Sequence, residues 1–217
     1  MELNTLKDLY VEELKDLWSA ENQILKALPK MIKAASHAEL KRAFTTHERQ
    51  TRQHVQRLER ILKELDESPR GKKCVGMEGL LEEGSDLIKE KPDADVLDAG
   101  LIAAAQHVEH YEMAGYGTVR TYARQLGKDR QADLLQQTLD EEGETDKKLT
   151  QLAESSINLD AENQDEDGES GGRGRMPLRR RSATKSAGGS SSRSRTAGGS
   201  SAGTDSSTGS STGSMGL

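Results

Sequence analysis

One cysteine, four prolines and six aromatic side chains in 217 residues leave several classes of protein without the parts they need. Cys74 has no partner for an internal disulfide, and no Cys or His lies close enough in sequence to suggest a thiolate zinc site. It reads as an incidental thiol in a connecting segment. No apolar run approaches the roughly 18 to 20 residues that cross a bilayer. The stretch MELNTLKDLYVEEL lacks a basic region followed by an apolar one, so no secretory leader is expected. A soluble, cytoplasmic protein without membrane contact follows as the expectation.

What is present is unevenly placed. Every aromatic residue (Tyr10, Trp18, Phe44, Tyr111, Tyr116, Tyr122), all five His and Cys74 precede residue 124. Residues 1–154 carry 30 acidic and 23 basic side chains, a net of −7, with nearly all the Leu, Ile and Val, which is enough chain for one core. Residues 155–217 are Gly, Ser, Thr, Arg and acids with almost nothing apolar, so burial cannot offset the entropy of ordering the backbone. The reading is a helical domain over 1–154 and a disordered tail over 155–217.

Between residues 3 and 154 apolar side chains recur at steps of three and four and nowhere alternate long enough for a strand, so the fold class is all-α. The first long helix is expected from about Leu3 to Ala35, with a stripe through Leu6, Leu9/Tyr10, Leu14, Leu17, Ile24/Leu25 and Leu28. Pro29 should kink it. Ser36 is the expected N-cap of a second helix from His37 to Asp66, with Glu39 at the capping-box position, and Ser68-Pro69-Arg70-Gly71 ends that helix.

A short amphipathic helix, Met77 to Glu90, precedes a third long helix from Ala94 to Gln125 that should stop at a left-handed Gly127. The fourth runs from Asp129 to Glu154. Two helix pairs joined by a connection of about 25 residues describe a four-helix bundle with one long crossover, the layout of ferritin-like folds.

Each buried stripe is interrupted at mid-height. Helix one reads Leu14, Leu17, Glu21, Ile24, Leu28, and helix two reads Leu40, Phe44, His47, Thr51, His54, Leu58, Ile61, Leu65. Helix three gives Leu101, Ala105, Glu109, Glu112, Tyr116, Val119, and helix four gives Leu135, Leu139, Glu142, Asp146, Leu149, Ala153. Carboxylates buried together are costly unless something positive sits among them. Glu21, Glu109, Glu112, Glu142 and Asp146 with His54 are therefore candidate ligands for two iron or manganese ions, acids balancing the charge and imidazole supplying nitrogen.

His47 is either a ligand or a hydrogen-bond partner behind the ligands, and the second role is preferred. Glu48, Glu141 and Glu144 fall off the stripes and should face solvent. His107 and His110 lie on less buried faces and are not counted as ligands. The tyrosines are assigned to packing.

The segments LKDLYVEELKDLWSAENQILKALPKM, AFTTHERQTRQHVQRLE, AAQHVEHYEMAGYGTVRTYA and LLQQTLDEEGETDKKLTQLA, in that order, resemble the YciE/YciF-type ferritin-like family of bacterial stress proteins, related to rubrerythrin. The resemblance covers about residues 3–154. It implies a ferritin-like bundle, a homodimer and a dinuclear metal site.

Rubrerythrin-type centres use Glu on the first helix, Glu-x-x-His on the second, Glu-x-x-Glu on the third and Glu-x-x-His on the fourth. Glu21, His54, Glu109, Glu112 and Glu142 match. The second-helix Glu is replaced by Thr51, with Gln50 beside it, and the fourth-helix His is replaced by Thr145, with Asp146 next. Thr51, Gln50 and His47 are read as residues behind the ligands, and these departures leave room for a weaker or mononuclear site.

The tail is acidic over residues 160–169 and holds eight basic and no acidic residues from Arg173 to Arg195. That segment could make weak, salt-sensitive and sequence-independent contact with nucleic acid, or serve as a solubility tail. The functional expectation is a stress-response protein whose carboxylate-bridged pair of metals acts on peroxide or oxygen. The alternative is a non-enzymatic dimeric bundle whose inward polar residues form a network without metal.

Overall fold

The structure is a computed structural model and describes residues 3–168. Six α-helices account for most of them: α1 (Leu6–Ala34), α2 (Ala38–Glu64), α3 (Val75–Glu90), α4 (Ala94–Gln125), α5 (Asp129–Leu152) and α6 (Asn158–Gly168). No strand occurs among the described residues, so the all-α class and the ferritin-like bundle with a helix in its crossover are as read from the periodicity.

α1, α2, α5 and α4 pack in a ring, with α3 laid against α1 and α4. Short connections make α1 and α2, and α4 and α5, antiparallel hairpins. The crossover runs nearly the full height of the bundle. Lys15 meets Glu67 at 2.8 Å near the end where α2 stops, Lys72 meets Glu12 at 3.0 Å, and the Cys74 amide donates to Ser19 Oγ at 2.9 Å, half-way up α1.

Cys74 has a structural task that its isolation in the sequence does not reveal. It is buried, its sulfur accepts from the Met77 amide at the start of α3, and it lies 3.0 Å from the Tyr111 hydroxyl. Burial pushes its thiol pKa up, which suits a capping group rather than a reactive thiolate.

Local chemistry sets most helix ends. Thr5 and Asp8 form a reciprocal capping box at the start of α1. α1 continues unbroken past Pro29, which is exposed. Gly127 has φ 68°, and the Lys128 amide donates to Ala123 O at 2.8 Å, closing α4 in the left-handed manner expected.

The start of α2 differs from expectation. Neither Ser36 nor Glu39 caps it: His37 occupies the cap position with no side-chain bond of its own. The amides of Ser36 and His37 and the Ser36 hydroxyl all donate to the carboxylate of Asp98 on α4, at 2.8, 2.7 and 2.5 Å. A buried acid from another helix thus answers the orphan donors of α2 and pins the α1–α2 turn to α4.

The end of the domain also differs. The chain stays helical beyond Glu154, through a π-helical turn (Ala153–Ile157) into α6. Ile157 is buried in the core, and this is why the helix continues. Helix therefore reaches Gly168, inside the stretch expected to be disordered. The rest of the expected tail, with the basic segment Arg173 to Arg195, lies outside the described residues.

The core is two apolar clusters rather than one. The upper joins Ile24, Leu28, Leu40, Phe44, Leu101 and Leu149; the lower joins Tyr10, Leu14, Leu58, Ile61, Val119 and Leu135. A domain of this size ordinarily has one contiguous core. Here a buried polar layer at mid-height separates the two. No helix among the described residues is long and apolar enough to cross a membrane.

The Asp98 contacts predict a sharp contrast. Asp98→Ala should lower unfolding free energy by about 2 kcal/mol, because it takes the buried acceptor away from three donors at the start of α2. Glu39→Ala should change it by less than about 0.5 kcal/mol. Urea denaturation followed by circular dichroism measures both.

Candidate metal centre

The polar layer is assembled from the four long helices by their seams. α1 contributes Glu21, α2 His47 and His54, α4 Glu109 and Glu112, and α5 Glu142, all between 0% and 3% exposed. Positions three and four apart share a helix face, so Glu109 and Glu112 point into the bundle together, and a seven-residue step does the same for His47 and His54.

Two groupings result: His47, Glu109, Glu112 and Glu142 offer ligand atoms within 4.8 Å of one another, and Glu21, His54 and Glu142 do likewise. Glu142 belongs to both. His54 Nδ1 lies 2.9 Å from one Glu142 oxygen and 3.4 Å from Glu21, while His47 Nε2 lies 3.3 Å from Glu109.

These contacts are close without being satisfied. In this layer eight buried atoms have no hydrogen-bond partner: His47 Nε2, His54 Nδ1, one oxygen each of Glu21 and Glu109, and both oxygens of Glu112 and of Glu142. Native interiors rarely leave such groups unpaired, and a cluster of them at one point is the setting for an ion or water. Four carboxylates and two neutral imidazoles balance two divalent cations, and the oxygen-rich donor set suits iron or manganese. The residues present fit a dinuclear centre.

Protonation shows what the layer does when no cation shares it. Burial, then the repulsion of Glu21, Glu142 and Glu109, drives Glu112 well above the carboxylate range, and Glu109 is raised by burial and by Glu142. Burial raises Glu21 too, against the pull of His54. Burial depresses His47. It opposes the charge on His54 as well, yet Glu21, Glu141 and Glu142 push that imidazole up to about 12. Glu142 is lowered, because His54 and His47 outweigh its burial. The layer holds protons wherever cations are not supplied, and taking up metal must release them.

A ring of groups outside the cluster aims the ligands. His54 Nε2 donates to Glu141 at 2.8 Å, which leaves Nδ1 as the free nitrogen facing Glu21 and Glu142. Glu141 is itself gripped by both guanidinium nitrogens of Arg57, at 2.7 and 2.9 Å, and Arg57 also reaches Thr138 at 3.0 Å. Despite partial burial, His54 and Arg57 hold the Glu141 carboxyl down to about 2. The Thr145 hydroxyl donates to Glu141 O at 3.0 Å and lies 3.4 Å from His47 Nδ1, so Nδ1 carries the proton and Nε2 faces the cluster. The Tyr116 hydroxyl donates to Glu21 in a short contact.

Glu21, His54, Glu109, Glu112 and Glu142 come together. Asp146 does not join them: it is half-buried and turned to Gln106 and His110, at 3.1 and 3.3 Å. His47, read as a residue behind the ligands, stands in the cluster on the same footing as His54. Thr51 is buried and donates to His47 O at 2.9 Å, and Gln50 is half-buried.

Threonine thus occupies both positions where the rubrerythrin pattern departs, Thr51 and Thr145, and both contact His47. His47, from the second helix, is thus the imidazole that stands beside Glu109 and Glu142. Glu141 is not the solvent-facing acid expected, and Glu48 is half-buried beside Arg52; Glu144, His107 and His110 are exposed as expected. Tyr116 is both a packing residue and a donor to the centre. One available signal for Glu141 was Arg57, three residues after His54, a cation too close to the seam to stand unpaired.

Comparison with known proteins places the chain among relatives. Residues 5–162 match the family described as a domain of unknown function, DUF892. Protein YciF of Escherichia coli (strain K12) is 44% identical over 164 residues, 75% of this chain and 99% of that protein. Its crystal structure, described as that of a stress protein, superposes with a TM-score of 0.69 over 71% of this chain and 98% of that one. YcfI from Rhodopseudomonas palustris is 40% identical with a TM-score of 0.67, over 69% of this chain and 95% of that one. A Xanthomonas campestris protein at 22% identity shares the fold, with a TM-score of 0.59 over 74% of this chain and 98% of that one.

The raised carboxyls fix the pH dependence of metal-free protein. The folded state keeps protons on Glu109 and Glu112 that the unfolded chain releases near the ordinary carboxylate range. The unfolded state then binds fewer protons, and stability falls as pH rises above about 4.5. His54 adds the same sign above about pH 6.5, while Glu141 and Glu142 act oppositely, and only at lower pH. Glu112→Gln should stabilise metal-free protein at about pH 8 by on the order of 2 kcal/mol, with a much smaller gain at about pH 4.5. Urea titrations at the two pH values check it.

Proposed function

The chain belongs to the DUF892 family, and on that premise we propose that it is a ferritin-like stress protein holding a carboxylate-bridged pair of iron or manganese ions that acts on peroxide or oxygen. The observation that carries the reading is the set of eight partnerless polar atoms converging on Glu142. Without metal these atoms have to be bridged by protons held on His54, Glu109 and Glu112, whereas two cations would answer all of them at once.

The residues that would hold the ions are Glu21, His54 and Glu142 on one side and His47, Glu109, Glu112 and Glu142 on the other, Glu142 being common to both. Bound there, two adjacent redox-active ions would supply a two-electron couple matched to the peroxide bond. Dismutation is the version that balances without an outside reductant: one peroxide is oxidised to dioxygen while another is reduced to water.

The protein's own part is to hold the ligands and to manage protons. The Arg57–Glu141–His54 chain fixes one imidazole, and Thr145 fixes the other. Tyr116 holds a proton against Glu21. The two apolar clusters keep bulk water from above and below. Pairing into a homodimer and polyanion contact by the basic tail remain part of the proposal and rest on the sequence alone.

Elemental analysis of protein purified without chelator tests the reading. About two iron or manganese ions per chain are expected, with a steep loss in His47→Ala and in Glu109→Ala, and little change in Asp146→Ala. Folded protein that carries no metal and refuses reconstitution would overturn it in favour of a structural bundle.

A further inference from the structure

The bundle has an apolar doorway to one half of the centre. Between α1, α3 and α4 lies a surface cleft of about 470 Å³, bordered by Leu80, Gly84, Ile88 and Ala104 with Lys26 and Lys30 at its rim. Beneath it is a constriction of about 20 Å³ whose inner wall includes His47 and Glu109. Ala27, Met31, Leu81 and Val108 line both, which puts these side chains on the wall that cleft and constriction have in common. The rest of the constriction is Ile24, Leu28, Phe44 and Ala105.

We propose that Ala27, Met31, Leu81 and Val108 form a gate that admits small uncharged oxidants, peroxide or dioxygen, to the His47/Glu109 side of the centre. This rests on the metal-centre reading for its purpose, but not for its geometry. A space of this size holds about one water-sized molecule, which matches dioxygen and nearly matches peroxide, and excludes organic peroxides and larger reductants. Its lining offers no polar partner until His47 and Glu109, so an ion would shed its hydration with nothing in return.

Two of the four gate residues lie on α1, one on α4, and Leu81 on the crossover helix α3. The crossover therefore does more than join two hairpins: it supplies the outer jamb of the gate. A four-helix bundle without α3 would present this face of α1 and α4 to solvent.

The test uses methyl groups of the full-length protein under dissolved oxygen, whose paramagnetism speeds relaxation of any methyl it reaches. Enhancement at Ala105 and Ile24 should exceed that at Leu65 and Val11 of the lower cluster, which are buried to a similar degree. Ala27→Phe should cut the upper values by about threefold, and Leu81→Ala should raise them, so one variant of the pair suffices if the other does not fold.

In metal-loaded protein, Ala27→Phe should slow peroxide or oxygen consumption by about tenfold with metal content unchanged. Equal relaxation in both clusters, or indifference to both substitutions, would overturn the gate. Relaxation that follows the gate variants, in a loaded protein that consumes no oxidant, would confirm the route and overturn the oxidoreductase reading instead.

Discussion

Four carboxylates converge in one buried layer, with only two imidazoles between them. No arrangement of protein alone makes that layer comfortable, because each ionised acid loses hydration and repels its neighbours. The rest of the bundle is arranged around this constraint. The core divides into an upper and a lower apolar cluster, each complete in itself. The helices are held at the height that brings the acids together: Asp98 ties the α1–α2 turn to α4 at one end, and Tyr10 ties α1 to Gln131 at the start of α5 at the other, at 3.1 Å.

Around the layer, cationic and hydroxyl groups act on the acids that lie just outside it. Glu141 and Glu142 are adjacent on α5, and a helix turns about 100° between them. One therefore faces Arg57 at the bundle's edge and the other faces the cluster. Arg57 neutralises the outer acid, that acid orients His54, and His54 holds down the pKa of the inner acid. Charge is thus graded from the surface inward, and Glu109 and Glu112, whose carboxyls are the most strongly raised, are the ones left to protons.

The sequence made much of this legible, and the missing parts share a cause. Helix periodicity brings Glu21, His54, Glu109, Glu112 and Glu142 to one layer because each sits on a seam whose apolar neighbours reveal its direction. It places Asp146 wrongly because four residues advance a helix by more than a full turn. The stripe at that level is wide enough for Asp146 to face Gln106 and His110 instead. His47 was on the seam as clearly as His54. The seam alone does not distinguish a ligand from a partner standing behind the ligands.

Asp98 as the cap of α2 was beyond reach for a different reason: it lies about sixty residues away, and no local rule links it to Ser36. The helical end at Ile157 likewise depends on a core to bury against, which composition averaged over the tail conceals.

The crossover makes the two halves of the centre unequal. Because α3 packs against α1 and α4, it shapes a cleft on the side of His47 and Glu109. The other half is covered: Tyr116 sits on Glu21, and Glu141 with Arg57 sits on His54. These covers are hydrogen-bonded, whereas the gate is held only by dispersion between side chains such as Met31 and Leu81, which cost little to shift. A site with one half fixed by hydrogen bonds and the other reached through adaptable apolar side chains has its structural and its receiving ends separated. Glu142, which belongs to both groupings, lets the fixed half hold the other in register.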